Sequence, residues 1–288
     1  MTGRALTLFH ASDVQAGSPF LPVAADALVD LVGRIAPDVI VLSGDLTQRA
    51  KPSEFETARA LMDRLGDIPV VITPGNHDVP LYRFWERIAA PFGAWTRFAG
   101  SPALNSVTRV KNATIVALNS AAPRRAIVNG RLSSAQLDFA REAFSESDPE
   151  DWRVVVTHHH FVRAPEGDGG PPLPGAARIV RRFGEMGVDA VLGGHVHQIH
   201  LRTAHDVVGV GSAGPALPIL ATGTATSRRG RGVERRANSV CVHRFESGEV
   251  TVSPWLREPD DHSFRPLPDV VFPIRQGRDI EPRAEATA

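Results

Sequence analysis

Six short apolar runs, residues 6–9, 39–42, 70–72, 115–118, 154–156 and 190–192, punctuate the first two-thirds of the chain. None alternates apolar with polar side chains, as a strand with one wet face would, so they predict strands buried on both faces. Strands of that kind need a layer on either side. The intervening segments 22–35, 53–65, 133–144 and 176–186 supply helices. The first carries Val23, Ala27, Leu28, Leu31 and Ile35 on one side, and the third opens with Ser133 and Gln136 at capping-box spacing. Strand–helix–strand alternation predicts a layered α/β domain. Residues 106–119 differ: two apolar runs flank Lys111-Asn112, which predicts a hairpin.

Beyond Gln198 the pattern becomes mostly β, with candidate strands at 207–210, 219–222, 240–245 and 250–253 between Gly- and Arg-rich loops. These predict a second sheet in the C-terminal third. From about Arg257 the chain is rich in Pro, Asp, Glu and Arg without periodicity. Residues 1–256 are therefore expected to form the domain, and 257–288 an extended wrapping tail with a disordered end.

Charge and cysteine narrow the chemistry. In 288 residues, 32 basic side chains balance 32 acidic ones, so the whole-chain excess of positive charge typical of general DNA or RNA binders is missing. A nuclease is disfavoured on that ground. Cys241 is the single cysteine, which excludes an intramolecular disulfide and a thiolate-rich metal site and suits a reducing cytoplasm. Any metal must be held by nitrogen and oxygen. The N-terminal residues show no signal-peptide pattern, and no apolar stretch approaches the roughly 18 residues of a membrane span.

The residues just beyond each strand carry the chemistry. The run 6–9 leads to Asp13 and Gln15, 39–42 to Gly44-Asp45, and 70–72 to Gly75-Asn76-His77-Asp78. The run 154–156 leads to His158, and 190–192 to Gly194-His195-Val196-His197. Ligands of open α/β sheets collect beyond the carboxyl ends of the strands, so these clusters are expected to converge. Glycine before a polar residue lets the backbone turn, and the i, i+2 pairs Asp13/Gln15 and His195/His197 would point to one side of an extended chain. Asp13, Gln15, Asp45, Asn76, His158, His195 and His197 exceed the needs of one four-coordinate ion, which implies two. Two divalent cations, two carboxylates and a bridging hydroxide sum to about +1, a site that attracts phosphate and activates water.

Taken in order, Asp13-Val14-Gln15, the stretch Gly44-Asp45-Leu46-Thr47-Gln48-Arg49, Gly75-Asn76-His77-Asp78, Thr157-His158-His159 and Gly194-His195-Val196-His197 resemble the calcineurin-like metallophosphoesterases over roughly residues 5 to 255. The resemblance implies a four-layered α/β/β/α sandwich with two mixed sheets. It implies that Asp45 bridges two divalent ions (Mn, Fe, Zn or Co, with Mn favoured), that Asp13, Gln15 and His197 hold the first, and that Asn76, His158 and His195 hold the second. His77 would assist the leaving oxygen, oriented by Asp78, and Asn76 would also face substrate. The Gly75-to-Asp78 motif and residues 222–228 look like the bacterial cyclic-nucleotide phosphodiesterase branch. A cytoplasmic phosphodiesterase attacking phosphorus with metal-bound hydroxide is therefore expected, its partner a phosphorylated small molecule. The alternatives are a UDP-sugar lipid pyrophosphate hydrolase of the lipid A pathway type and a non-catalytic metal-binding scaffold. One position departs from the pattern: the family usually has histidine where this chain has Gln15, a poorer donor for transition metals.

Other residues have less context. Arg49, four residues after Asp45, either ties loops together or faces substrate. His10 is expected to pack behind the site, His159 and His160 to lie outside the ligand shell, and His200, His205, His243 and His262 to be structural or exposed. The run Arg228, Arg229, Arg231, Arg235 and Arg236 reads first as a solvated loop and second as an electrostatic funnel for phosphate. Tyr82, Phe84, Trp85, Phe92, Trp95 and Phe98 read first as a hydrophobic sub-core and second as a lid or wall against a base or acyl chain, and Cys241 as an inert buried thiol.

Overall fold

A computed structural model describes residues 5–124, 130–164, 170–209 and 217–274. The first sheet is built on β1 (Leu6–Ala11), β2 (Val39–Leu42) and β3 (Val70–Ile72), three adjacent parallel strands. The second contains β4 (Ser106–Val110), β5 (Ala113–Ala117), β6 (Trp152–Val156), β7 (Ala190–Gly193), β8 (His200–Thr203) and β9 (Pro218–Ala221), in the order β4-β5-β6-β7-β9-β8. The predicted hairpin is β4–β5, antiparallel, with Val110 opposite Ala113.

The continuous apolar runs serve two cores at once. Leu6, Leu8, Val39 and Val41 of the first sheet meet Ile115, Val154, Val156 and Leu192 of the second in a core between the sheets. Their chain neighbours Phe9, Ile40 and Leu42 turn the other way, onto α1 (Pro22–Ile35) and α2 (Pro52–Asp63). On the far side, Val116, Val155 and Val191 pack against α5 (Ser134–Ser145) and α6 (Ala176–Glu185). A strand with both faces covered cannot show polar alternation. The result is the expected α/β/β/α sandwich, and both sheets are mixed.

Two expectations are corrected. The strands β10 (Asn238–Glu246) and β11 (Glu249–Arg257) do not make a sheet of their own: β10 runs antiparallel to β1 and extends the first sheet, and of the strands expected beyond Gln198 the one at 219–222 enters the second sheet, as β9, beside strands from earlier in the chain. Of the strand expected at 207–210, residues 207 and 208 instead end α7 (His205–Val208) and residue 210 lies outside the described residues; Asp206 accepts from the backbone N–H and hydroxyl of Thr203 and favours a helical turn, which Gly209 ends at φ 85°. After Arg257, β12 (Arg265–Pro266) and β13 (Val270–Pro273) pair with β11, and the rest of the expected tail, 275–288, lies outside the described residues.

The aromatic stretch divides between α3 (Phe84–Ala89) and α4 (Gly93–Ala99). Trp95 is buried against Phe55, and Phe92 and Phe98 pack on the same core. Tyr82, Phe84 and Trp85 are 72%, 61% and 80% exposed, so half of the expected sub-core lies on the surface. No helix among the described residues is long and apolar enough to cross a membrane.

Candidate active site

The parallel strands β1, β2, β3, β6 and β7 all release their chains at one end of the sandwich, and the seven expected donors stand there. The loops after β1 and β2 run side by side: Asp13 N–H donates to Gly44 O at 3.0 Å and Gln15 N–H to Asp45 O at 2.9 Å. Five of the seven donor residues, Asp13, Gln15, Asp45, His195 and His197, have left-handed backbones with φ between 52° and 73°. Each such residue costs about 1 kcal/mol or more, a strain the surrounding contacts hold in place. The i, i+2 pairs therefore share a target from left-handed loops and not from an extended strand.

Crowding explains all three motif glycines, Gly44 included, where a Cβ would lie 2.6 Å from His158 Nδ1. A Cβ on Gly75 would lie 2.1 Å from Asp45 Oδ1, and one on Gly194 would lie 1.8 Å from Ser12 Oγ. Only Gly44, at φ 98°, also performs the expected turn.

Hydrogen bonds aim the donor atoms. His158 Nδ1 donates to Ser43 O at 2.8 Å, which fixes the proton on that nitrogen and turns Nε2 to within 3.4 Å of Asp45 Oδ2. Nε2 of His158 also lies 3.3 Å from Nδ1 of His195, itself 3.0 Å from Asn76 Oδ1. One oxygen of Asp13 accepts from Ser12 Oγ at 2.7 Å and from the N–H of His195 at 3.0 Å. The other, Oδ1, is buried without a hydrogen-bond partner and faces His197 Nε2 at 3.6 Å. Ligand atoms of Asp13, Asp45 and His158 lie within 4.8 Å of one another. A buried, orphaned carboxylate oxygen among imidazoles and a second carboxylate suits a divalent cation of intermediate hardness. These residues fit such ions.

The charges respond to one another. Burial opposes ionisation of Asp45, yet His158 and His77 hold its carboxyl well below the usual range. Burial likewise disfavours the His158 imidazolium, but Asp45 overrides it and raises the pKa to about 9. Burial dominates at His197, lowered to about 4 despite Asp13, with Arg231 and Arg229 acting in the same direction as burial.

The residues around the donors bring two corrections. Asp78 does not orient the His77 ring. Its carboxylate accepts from Leu46 N, Thr47 N, Thr47 Oγ1 and Gly75 N, tying the loop after β2 to the loop after β3, and burial followed by repulsion from Asp45 lifts its pKa to about 6. The ring of His77 is instead set by Gln48 O, 2.8 Å from Nδ1. Arg49 stacks its guanidinium on the exposed Tyr82 ring at 5.0 Å, so the basic side chain that touches the donors is another.

That side chain is Arg229, from the run read first as a solvated loop. Its Nη1 donates to Gln15 Oε1 at 2.9 Å and lies 3.1 Å from His77 Nε2. The available signal was positional: Arg229 follows the end of β9, which is parallel to β7 and ends beside it, as every donor follows a strand. Three further histidines stand behind the site. His10 bonds to His243 and Ser43, while His159 and His160 pack their rings against His195 at 4.8 and 5.4 Å. Cys241 is buried and its thiol is pushed up to about 12.

Sandwich and donor set together describe an α/β/β/α fold that gathers carboxylate, imidazole and amide side chains suited to divalent metal ions at one end. Residues 6–199 match the model of the calcineurin-like phosphoesterases, and the chain belongs to that family. It is 30% identical over 185 residues to the probable cyclic nucleotide phosphodiesterase of Synechococcus sp., an alignment spanning 63% of this chain and 66% of that protein, just under two-thirds of its length. In fold it resembles a dimetal phosphatase from Danio rerio, with a TM-score of 0.62 at 13% identity over 94% of this chain and 99% of the other. A purple acid phosphatase, PPD1, from yellow lupin gives a TM-score of 0.66 at 12% identity, covering 94% of this chain and 54% of that one.

Proposed function

We propose that the chain is a dinuclear phosphodiesterase for small diesters, cyclic nucleotides among them, with manganese the favoured metal and iron, zinc and cobalt the alternatives. Asp13, Gln15 and His197 would hold one ion, Asn76, His158 and His195 the other, and Asp45 both. When bound, such ions lower the pKa of water towards neutrality and stabilise charge on phosphoryl oxygens. The chain's own side chains do the rest. Ser43 O holds the Nδ1 proton of His158, so Nε2 is the nitrogen that ring would offer once its other proton is displaced by an ion, and Asp13 keeps one oxygen free for the centre. His77 would be the proton carrier: as a hydroxide oxygen bonds to phosphorus and the opposite P–O ester bond breaks, the His77 ring, whose Nε2 here accepts from Arg229 and must first exchange that contact for a solvent proton, would deliver the proton from Nε2 to the departing oxygen.

The observation that carries this reading is the position of His77. Its side chain is 19% exposed, beside donors that are all buried except Asn76, with Nε2 4.0 Å from Asp45 Oδ2. It stands at the mouth of the site, where a leaving group would be. Preference for diesters rests on the Synechococcus relative, and the lone buried cysteine suits a cytoplasmic setting.

A lipid-linked nucleotide-sugar pyrophosphate is the second reading. It is favoured by the exposed Tyr82, Phe84, Trp85 and Ile88, which follow the His77 loop directly and offer an apolar surface to acyl chains. A panel of bis-aryl phosphate, aryl monophosphate, cyclic AMP and a lipid-linked UDP sugar, assayed with manganese, separates these. The diesters are expected to show the highest kcat/KM, and His77→Ala should lower kcat by roughly 10²–10⁴-fold with metal content unchanged. A preference for the monoester would overturn the proposal.

A further inference from the structure

The loop that presents Arg229 is strapped to the loop of Asp13 and Gln15. Thr224 Oγ1 donates to Asp13 O at 2.7 Å, Thr226 Oγ1 to Val14 O at 2.8 Å, and Ala225 N–H to Ser12 O at 2.9 Å. Asn238 Nδ2 donates to Ser227 O at 2.8 Å from β10, and the N–H of Arg228 bonds to Pro19 O at 2.9 Å. Thr224, Thr226, Ser227 and Asn238 are all fully buried. A loop fixed at so many points delivers its next side chain to a defined place. Arg229 is half-buried, no carboxylate pairs with it among the described residues, and its Nε and Nη2 make no hydrogen bond there. Two donors of a guanidinium fork are thus left over, between a proposed metal ligand and the proposed proton carrier.

Gln15 explains how the guanidinium stays there. Its amide Nε2 donates to Asp45 Oδ2 at 3.1 Å while its Oε1 accepts from Arg229, so the two ends of one neutral amide join an anion to a cation. Reversing the amide would turn its hydrogens towards the guanidinium and its oxygen towards the carboxylate. A histidine offering one nitrogen to a metal would carry a proton on the other, and so could not accept from Arg229.

We propose that Arg229 is the anion clamp of this site, binding a non-bridging oxygen of the substrate phosphate, and that Gln15 is its positioning residue. A phosphodiester carries a single charge shared by two non-bridging oxygens, and a planar fork with two spare donors matches that pair. The proposal rests on the phosphoesterase reading for the class of substrate, but its test does not require turnover.

Binding of inorganic phosphate to the manganese-loaded protein, followed by calorimetry, tests it on wild type, Arg229→Gln, Arg229→Lys and Gln15→Leu. Arg229→Gln should weaken phosphate binding at least tenfold and raise KM for a bis-aryl phosphate more than it lowers kcat, with manganese content and circular dichroism unchanged. Arg229→Lys should recover part of the affinity. Gln15→Leu should weaken phosphate binding too, and by less when Arg229 is already glutamine. Wild-type phosphate affinity in Arg229→Gln would overturn the clamp, as would loss of manganese from that variant, which would make Arg229 a support of the metals. Phosphate binding that depends on Arg229 in a protein that hydrolyses no diester would sink the diesterase reading and leave the clamp standing. Diester turnover with an unaltered Arg229→Gln KM would do the reverse.

Discussion

Gln15 and Asp45 are joined twice: the backbone N–H of Gln15 donates to Asp45 O at 2.9 Å, and its side-chain amide donates to the Asp45 carboxylate at 3.1 Å. Both residues have left-handed backbones, at φ 54° and 52°. The double link lets the loops after β1 and β2 hold each other in a conformation neither would keep alone. Strain of this kind persists only where neighbours over-determine it, and a small intrusion should therefore release it.

Gly75→Ala supplies that intrusion. Its Cβ would fall 2.1 Å from Asp45 Oδ1 and 2.5 Å from Asp45 N, so the central carboxylate must move. We expect at least a 100-fold loss of kcat/KM and a loss of bound manganese, measured by elemental analysis, while circular dichroism stays that of wild type. Full metal retention with normal activity would show that Asp45 tolerates displacement.

Gly33→Ala should act in the opposite direction. Gly33 lies inside α1, is exposed, and an added methyl group would meet nothing within 4 Å. Alanine loses less backbone entropy in a helix, so stability should rise by about 1 kcal/mol, seen as a higher urea midpoint with an unchanged slope. Activity should not change.

Acid should weaken the metal-free protein through its buried histidines. Burial, with His243 adding to it, holds His10 well below 6.5, and burial lowers His243 to about 3. In the unfolded chain both titrate near 6.5, so below that pH the unfolded state binds more protons and stability falls with falling pH. For His243 the loss continues to about pH 3, at about 1.4 kcal/mol per pH unit when fully developed. Urea unfolding in chelator between pH 7 and 4.5 should show this slope, and His243→Gln should make it shallower by about that amount. An equal slope in the variant would assign the acid loss to the other buried histidines, His10, His159, His160, His195, His197 and His200, all lowered in the same sense.

Much of this molecule is legible residue by residue. The bounds of α1, β2 and β3 follow from apolar runs and periodicity, because burial on two faces leaves an unmistakable local pattern. The five donor motifs are short and each follows its own strand. Other features are illegible for the same reason that these are plain: nothing local marks Trp95 as buried and Trp85 as exposed, since both lie in short aromatic helices and only the packing of α4 on α2 separates them.

The order and chemical type of the donors, and the need for two covered sheets, belong to the amino-acid sequence alone, because they depend on neighbours within a few positions. The tertiary structure decided which sheet received β10 and β11, that Asp78 serves the loops and not the His77 ring, and that Arg229 meets Gln15 across 214 residues of chain. Those outcomes depend on contacts between distant segments, whose geometry exists only once the sandwich has closed.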